Sequence, residues 1–577
     1  MRGIMVLRCT TLALNNVRLR LTRLLTTTVK QSIYVKRRST ITDKLTVQEP
    51  TKGNDAVKLL RKVHKKRKKD TVDETRRSNI LFLEIQDAIN VFQKKYSNLI
   101  SVEQIKTKSE LIEAFLWHRN RPEVIIPSVE IIYQSSEGHG LGIIPTALYG
   151  TPYIHEQDEI FDLFTVVVVP NTIVGDKAKV VLLTHHEYYA EASMLELLQP
   201  SSRRKDERIV CNYFNDCTGC QFQMLSYEDQ LSHKQAVIQR AFQFFYPDLL
   251  RDYPHLHGFG KVFRSPLEYG YRHKITPHYK IPKNYDGDKF AIGFDNPNPG
   301  KQVTDIKSCQ LASPKINETY HSFRNKHYEM ALDLPPNPRV KTGGLMIRES
   351  LRLNKESRSY ESVCLEGGKN IVTEKVEDKL FQFELSTFFQ VNTLILPLVF
   401  DYIRNHMKAS KHNFRYLIDS YCGAGVFGIC LAKDLPGNGK VFGIEIDRSS
   451  REFATSNAKL NNLAVPKKIE FIEGDAEKMF KSPEFLASGI SGNECIVIMD
   501  PSRKGSSNLF LKQLIQFKPK MIVYVSCNVF TQARDLSTFN QFQKLYDTHY
   551  QIKEIVGYDF FPQTRHVETV AILELAD

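Results

Sequence analysis

Cys527 lies just past the apolar run in KMIVYVSCNVFTQARDL, ahead of Asn528 and a helix-like segment. A thiolate there is a candidate nucleophile, but a free thiol titrates near a pKa of about 8.5, so a helix N-terminus or a bound cation must lower it. Taken alone, a cysteine in this setting is more often a small buried hydrophobe. The terminal segment DFFPQTRHVETVAILEL shifts that balance, because Thr564, Arg565, His566 and Glu568 stand directly before an apolar strand. A carboxylate such as Glu568 beside a pocket suits a general base, a task that favours a raised pKa. A nucleophile and a base in one domain are the parts of covalent catalysis.

A ligand loop precedes them in the chain. Gly423-Ala424-Gly425-Val426-Phe427-Gly428 follows the β run RYLIDSY and opens a helical pattern. Such glycines let the backbone turn tightly and let a ligand approach a helix N-terminus, while Glu445, ending the next strand in GKVFGIEID, can accept ribose hydroxyls. The loop by itself fits a nicotinamide dinucleotide equally well. Asp475 in FIEGDAE, placed to meet an adenine amino group, and Asp500 in ECIVIMDPSRKG, ending a fourth strand, favour S-adenosylmethionine.

A third constellation is sulfur. Cys211, Cys217 and Cys220 form C-x5-C-x2-C, and Cys309 follows in VTDIKSCQL. Four thiolates suit an iron-sulfur cluster or tetrahedral zinc, and clustered structural cysteines remain open on spacing alone.

These residues need a scaffold. The chain has 577 residues, enough for three or four structural units, with ordinary globular hydrophobic (42%) and charged (25%) content, which excludes fibres and wholesale disorder. From Phe388 onward strands alternate with helices, which predicts an α/β parallel sheet. Short β runs between Pro145 and Ser202 (FTVVVVP, KAKVVLLTHH, YYAEASMLELLQP) predict a small OB-like barrel, and spacings of three and four predict helices over 78–118. Phe388, Phe389, Phe560 and Phe561 are candidates for lining a pocket, though aromatics of this kind usually belong to the core.

The motifs FFQVN (388–392), DSYCGAGVFG, IEID, DPSRKG, VSCN and FFPQTRHVET together resemble the RNA 5-methyluridine methyltransferases, in the branch with eukaryotic tRNA uracil-C5 enzymes, over roughly residues 145–577. The resemblance implies a Rossmann-like S-adenosylmethionine-dependent domain at 381–577, a central α+β domain at 204–380 and a TRAM-like RNA-binding barrel at 145–203. It implies Cys527 as nucleophile toward carbon 6 of uracil and Glu568 as proton acceptor. Gln390, Tyr421, Glu445 and Asp500 fall at the family's cofactor-contacting positions, and Cys211, Cys217, Cys220 and Cys309 at the ligands of a [4Fe-4S] cluster in one branch. One departure is Ser502, where the family usually has a second proline, so the loop's rigidity differs while Asp500 and Arg503 remain. RNA 5-methylcytosine enzymes carry a cysteine in the Asp500 loop, and DPSRKG has none. The expected partner is tRNA, with uridine 54 of the T loop as target. Alternatives are mitochondrial ribosomal RNA and a non-catalytic RNA-binding factor, the latter disfavoured because Cys527 and Glu568 are both intact.

Charge locates delivery rather than binding. Of 79 Lys and Arg against 65 Asp and Glu, residues 1–69 hold 19 basic and 3 acidic, leaving the rest close to neutral. Residues 1–45 begin with 42 positions free of acid, including RLRLTRLLTTTVKQ, the composition of a mitochondrial presequence. The run KLLRKVHKKRKK at 58–69, within a basic and helical extension at 46–144, suits a nuclear signal or an RNA-contacting arm, so cytoplasm and nucleus stay open. No run approaches 18 apolar residues, so no membrane span is expected. A monomer is expected.

Overall fold

The computed structural model describes residues 75–95, 124–145, 164–186, 189–281, 290–297, 303–332, 342–481, 485–486 and 489–576. The presequence-like leader, the second basic run and residues 96–118 of the helical extension lie outside these. Everything described belongs to one compact unit, Glu74–Asp577. Among the described residues no helix is long and apolar enough to cross a membrane.

The first element, α1 (Arg77–Lys95), packs Ile85, Ala88 and Ile89 against Leu141, Val166 and Val168 of a barrel. That barrel closes through β1 (Val124–Gln134), β2 (Gly140–Pro145), β3 (Phe164–Val169), β4 (Lys177–His185) and β5 (Ala190–Gln199), in the order β1-β2-β3-β5-β4. Five strands closing on themselves leave no free edge, as in OB-type folds. The barrel therefore begins at Val124, upstream of the boundary at 145 that the sequence suggests. Pro127 hides the first strand, and the register shift between Ile126 and Val129 is the bulge that tolerates it. Gly142 is required in the second strand, since a Cβ there would come within 2.3 Å of Val129 Cγ1.

The helix α2 (Tyr227–Phe245) starts at Ser226, whose side chain accepts the Asp229 amide. After it come β6 (Val262–Phe263), β7 (Lys274–Ile275), β8 (His278–Lys280), β9 (Ile292–Asp295) and β10 (Val303–Asp305), then α3 (Pro314–Leu332). The central part continues with β11 (Thr342–Gly344), β12 (Ile347–Asn354), β13 (Ser359–Glu366), β14 (Ile371–Val376) and β15 (Lys379–Glu384). These form small antiparallel sheets ordered β10-β9-β8-β11, β13-β12-β7 and β14-β15. Ile275, Ile292, Tyr320 and Ile347 meet in their core.

The last part holds α4 (Leu396–Ala409), β16 (Tyr416–Ser420), α5 (Val426–Leu431), β17 (Lys440–Glu445), α6 (Arg448–Leu460) and β18 (Ile469–Glu473). It ends with β19 (Cys495–Met499), α7 (Asn508–Phe517), β20 (Met521–Ser526), α8 (Val529–Leu545), β21 (Tyr550–Tyr558) and β22 (Glu568–Leu575). The strands β19 and β20 are apolar and buried at nearly every position, as expected where helices cover both faces of a parallel sheet. Eight strands run in the order β18-β17-β16-β19-β20-β22-β21-β6, with β16 to β20 parallel and β22 antiparallel to both its neighbours. The order reverses between β16 and β19, which makes their carboxyl ends the crevice where open α/β sheets take ligands.

The sheet does not respect the boundary at 381. Its outer strand β6 comes from the central segment and pairs parallel with β21, and α2 packs beside it. Lys234 of α2 donates to Asp559 at 2.5 Å with both side chains wholly buried, and Gln230 exchanges hydrogen bonds with Gln563 at 3.0 and 2.9 Å. The central and C-terminal segments thus share one core.

Candidate active site

The crevice is built at the carboxyl ends of β16 to β20 and the start of β22. At β16, Tyr421 takes a positive φ of 66° and its hydroxyl donates to Glu477 at 2.9 Å. The glycine loop follows: Gly425 has φ 84°, and a Cβ on it would press within 2.9 Å of the Phe471 ring. Gly423, at φ 54°, has no atom within 4 Å of its would-be Cβ, so the loop faces open space. At β17, Glu445 accepts the Gly423 amide at 2.9 Å and the Asp447 amide at 2.8 Å. The carboxylate expected at a ribose is thus the brace of the loop itself.

Asp475 serves a local purpose as well, accepting the Glu477 amide at 3.0 Å at the start of a 3₁₀ turn. Asp500, at the end of β19, accepts no hydrogen bond from another described residue, and burial pushes its carboxyl up to about 7. Gln390 sits half-buried, its carbonyl accepting from Arg348 at 3.0 Å. Phe389 stacks on Phe383 with centroids 4.2 Å apart and Phe560 is buried, so both are core. Phe388 stands apart at 77% exposure, and Phe561 packs edge-on to His566.

Cys527 follows β20 immediately. Asn528 then caps α8, accepting the Phe530 amide, and donates to the Arg503 carbonyl at 2.9 Å, tying the cysteine turn to the DPSRKG loop. Antiparallel pairing of Ser526 with Thr569 brings Glu568, the first residue of β22, to the same edge. Burial pushes the Cys527 thiol up to about 12, and the charges of Glu568 and Asp500 push the same way while Arg503 opposes them. Burial, then Asp500, takes Glu568 up to about 8, again against Arg503. The protein alone therefore keeps both groups protonated at neutral pH, and added positive charge near Asp500 would favour ionisation of both.

Asp419, the first residue of the DSYCGAGVFG motif, is a further site residue to which the sequence assigned no role. Its carboxylate, buried under the loop, accepts the Gly428 amide at 2.9 Å, and burial pushes it up to about 7. A lone acid inside the apolar strand YLIDS was the available signal.

Cys211, Cys217, Cys220 and Cys309 line one cavity of about 190 Å³. Among the described residues no group of three or more His, Cys, Asp or Glu side chains is placed to hold a metal ion. The segment after Cys220 reaches the active-site loop directly: the Gln221 and Phe222 amides donate to the Gln563 carbonyl at 2.9 and 3.1 Å, and Gln221 Oε1 accepts the Arg565 amide.

A family model described as tRNA (Uracil-5-)-methyltransferase matches residues 350–576. The chain is 34% identical to the tRNA (uracil(54)-C(5))-methyltransferase of Schizosaccharomyces pombe, over 90% of this chain and 87% of that protein. It is 32% identical to the protein of the same name from Saccharomyces cerevisiae, over 88% and 83%. Its fold resembles that of the Pyrococcus abyssi tRNA (uracil-54, C5)-methyltransferase solved with S-adenosyl-L-homocysteine, with a TM-score of 0.53 at 22% identity over 77% of this chain and 99% of that one.

Proposed function

This chain belongs to the tRNA (uracil-5-)-methyltransferase family, and we propose on that basis that it methylates carbon 5 of uridine 54 in the T loop of tRNA, using S-adenosylmethionine. The observation that carries the reading is the meeting of Cys527, Glu568 and Asp500 at one sheet edge beside an open glycine loop.

Carbon 5 of uracil is a weak nucleophile. In the proposed reaction the Cys527 thiolate bonds to carbon 6, and the electron pair of the C5–C6 double bond passes into an enolate. S-adenosylmethionine, when bound, supplies an electrophilic methyl group to carbon 5. Glu568 then takes the proton from carbon 5, the C6–S bond breaks, and the double bond and free thiolate return. One proton is released overall, and two modest barriers replace one high barrier.

The open space before Gly423 and the unpartnered carboxylate of Asp500 fit an adenosyl sulfonium, with Gln390, Tyr421, Glu445 and Asp500 as the residues that would hold it. Reaching the uridine requires turning it out of its stack, at a cost of a few kcal/mol, and exposed Phe388 offers a ring to receive a displaced base. Purified protein with labelled S-adenosylmethionine should methylate tRNA at uridine 54. RNA carrying 5-fluorouridine should trap a covalent complex with the wild type and none with Cys527→Ala, because fluorine cannot leave as a proton. A Cys527→Ala enzyme that still methylates would sink the mechanism.

The sulfur cavity fits a [4Fe-4S] cluster held by Cys211, Cys217, Cys220 and Cys309: all four thiols line one small space and the donor set is entirely soft sulfur. Its role in this proposal is to fix the turn that carries Gln221 and so the 559–567 loop. Anaerobically purified protein should be brown and contain about four iron atoms per chain; colourless, iron-free protein of full activity would refute it. For location, the leader, free of acid through residue 42, supports mitochondrial delivery. A diffuse signal from residues 1–45 fused to a fluorescent reporter would overturn that.

A further inference from the structure

Two arginines from distant parts of the chain meet on one carboxylate beside the active-site loop. Glu137, in the turn between β1 and β2, is shared by both: Arg77 of α1 approaches Oε1 at 3.4 Å and Arg565 of the catalytic loop pairs with Oε2. Arg503, in the DPSRKG loop, is exposed, and its charge acts on Arg565 and His566 as well as on Cys527 and Glu568. One carboxylate therefore faces two guanidinium groups, and Arg503 adds a third positive charge to their surroundings. Arg565 is crowded enough by burial and by Arg77 and Arg503 that its own pKa falls, and the same cations help to hold His566 neutral.

Arg77, Glu137 and His139 also line a groove of about 630 Å³ walled by residues of β5. Glu191, Glu196 and Asp216 line it as well and repel an anion. Arg77 is the one Arg or Lys among the groove's described lining residues. Arg77 and Glu137 both lie outside residues 350–576, the part matched by the family model.

We propose that Arg77, Arg565 and Arg503 form a clamp for a backbone phosphate of the RNA beside the reactive uridine, with Glu137 as the internal counter-ion that the phosphate displaces. The inference rests on the functional reading above and names a part of substrate binding that α1 contributes. Guanidinium forks suit phosphate oxygens, and exchange of Glu137 for phosphate leaves none of the cations unpaired. Arg77 is 65% exposed at its side chain, so it can turn to RNA without unpacking α1.

The test is tRNA binding by the full chain at several KCl concentrations, together with methylation kinetics. Arg77→Gln should raise the tRNA Kd by about threefold to tenfold near 0.1 M KCl, and reduce the slope of log K against log salt by about one. It should leave the KM for S-adenosylmethionine alone. Glu137→Gln should act in the opposite sense, tightening tRNA binding, because it removes a competitor for the arginines. Lys94→Gln, an exposed charge at the far end of the same helix, should change neither. The clamp is refuted if Arg77→Gln leaves the salt slope intact, or if Lys94→Gln lowers it equally. It is also refuted if Glu137→Gln weakens binding in step with a lower Tm, as a merely structural ion pair would. Wild-type protein that binds tRNA with this charge dependence but never methylates it would count against the functional reading and leave the clamp standing.

Discussion

Ser526 and Thr569 face each other across the antiparallel pair β20 and β22. Because Cys527 comes directly after the first and Glu568 directly before the second, one register brings nucleophile and base candidates out of the sheet together. A slip of a single residue would turn Glu568 to the opposite face. Their separation in sequence hides a relationship fixed by two backbone strands.

Glu568→Gln should divide the reaction. Addition of Cys527 needs no carboxylate, whereas removal of the carbon 5 proton does. The variant should therefore accumulate a covalent protein–RNA species with unmodified tRNA while turnover falls by about 10² to 10⁴. Denaturing gels measure the adduct. Loss of turnover without adduct would assign Glu568 to an earlier step.

Reactivity of the thiol should follow charge in the adenosyl pocket. Burial, and after it the charges of Glu568 and Asp500, raise Cys527, so a cationic occupant should lower it. At fixed pH, iodoacetamide should label Cys527 faster with the cationic analogue sinefungin than with neutral S-adenosylhomocysteine, read by peptide mass spectrometry. Equal rates would show that the pocket's charge does not reach the sulfur.

Stability of the ligand-free protein should fall as pH rises from about 4 to 8. Asp419 and Asp500 are raised to about 7 and Glu568 to about 8, whereas their unfolded counterparts titrate near 4. Between those limits the folded state binds more protons than the unfolded one, so raising the pH favours unfolding by up to about 1.4 kcal/mol per pH unit for each group. Asp500→Asn should flatten the Tm profile across this window. A profile unchanged by that substitution would contradict the assignment.

Lys234→Met should cost about 3–5 kcal/mol, since it leaves the Asp559 carboxylate buried without its cation. Adding Asp559→Leu should restore part of that stability in urea melts but not catalysis, because Asp559 also accepts the Phe561 amide at the start of the active-site loop. Additive losses in the double variant would show that the two residues act independently.

Much of the catalytic sheet was legible because its signals are local. Runs such as IVIMD and IVYVSC carry their own apolarity, and each chemical residue follows its strand by one position. The barrel's first strand was illegible because Pro127 breaks the pattern that a bulge then accommodates. Glu445 and Asp475 were recognised by type, yet their carboxylates brace nearby backbone amides, a use that depends on turn geometry rather than spacing. The placement of β6 was beyond reach: two residues, Val262 and Phe263, carry no strand signal until β21 offers a partner.

That short strand bears on how the protein is made. Asp559 lies 325 residues after Lys234, and β6 likewise waits for β21, near the C-terminus. During synthesis α2 and β6 leave the ribosome long before the surface they cover exists. Contacts this distant slow folding and leave apolar surface exposed to other chains meanwhile. The C-terminal half is consequently a poor candidate for expression by itself: it would carry an uncapped sheet edge and an orphaned buried acid. Supplying residues 204–270 as a separate polypeptide should rescue its solubility.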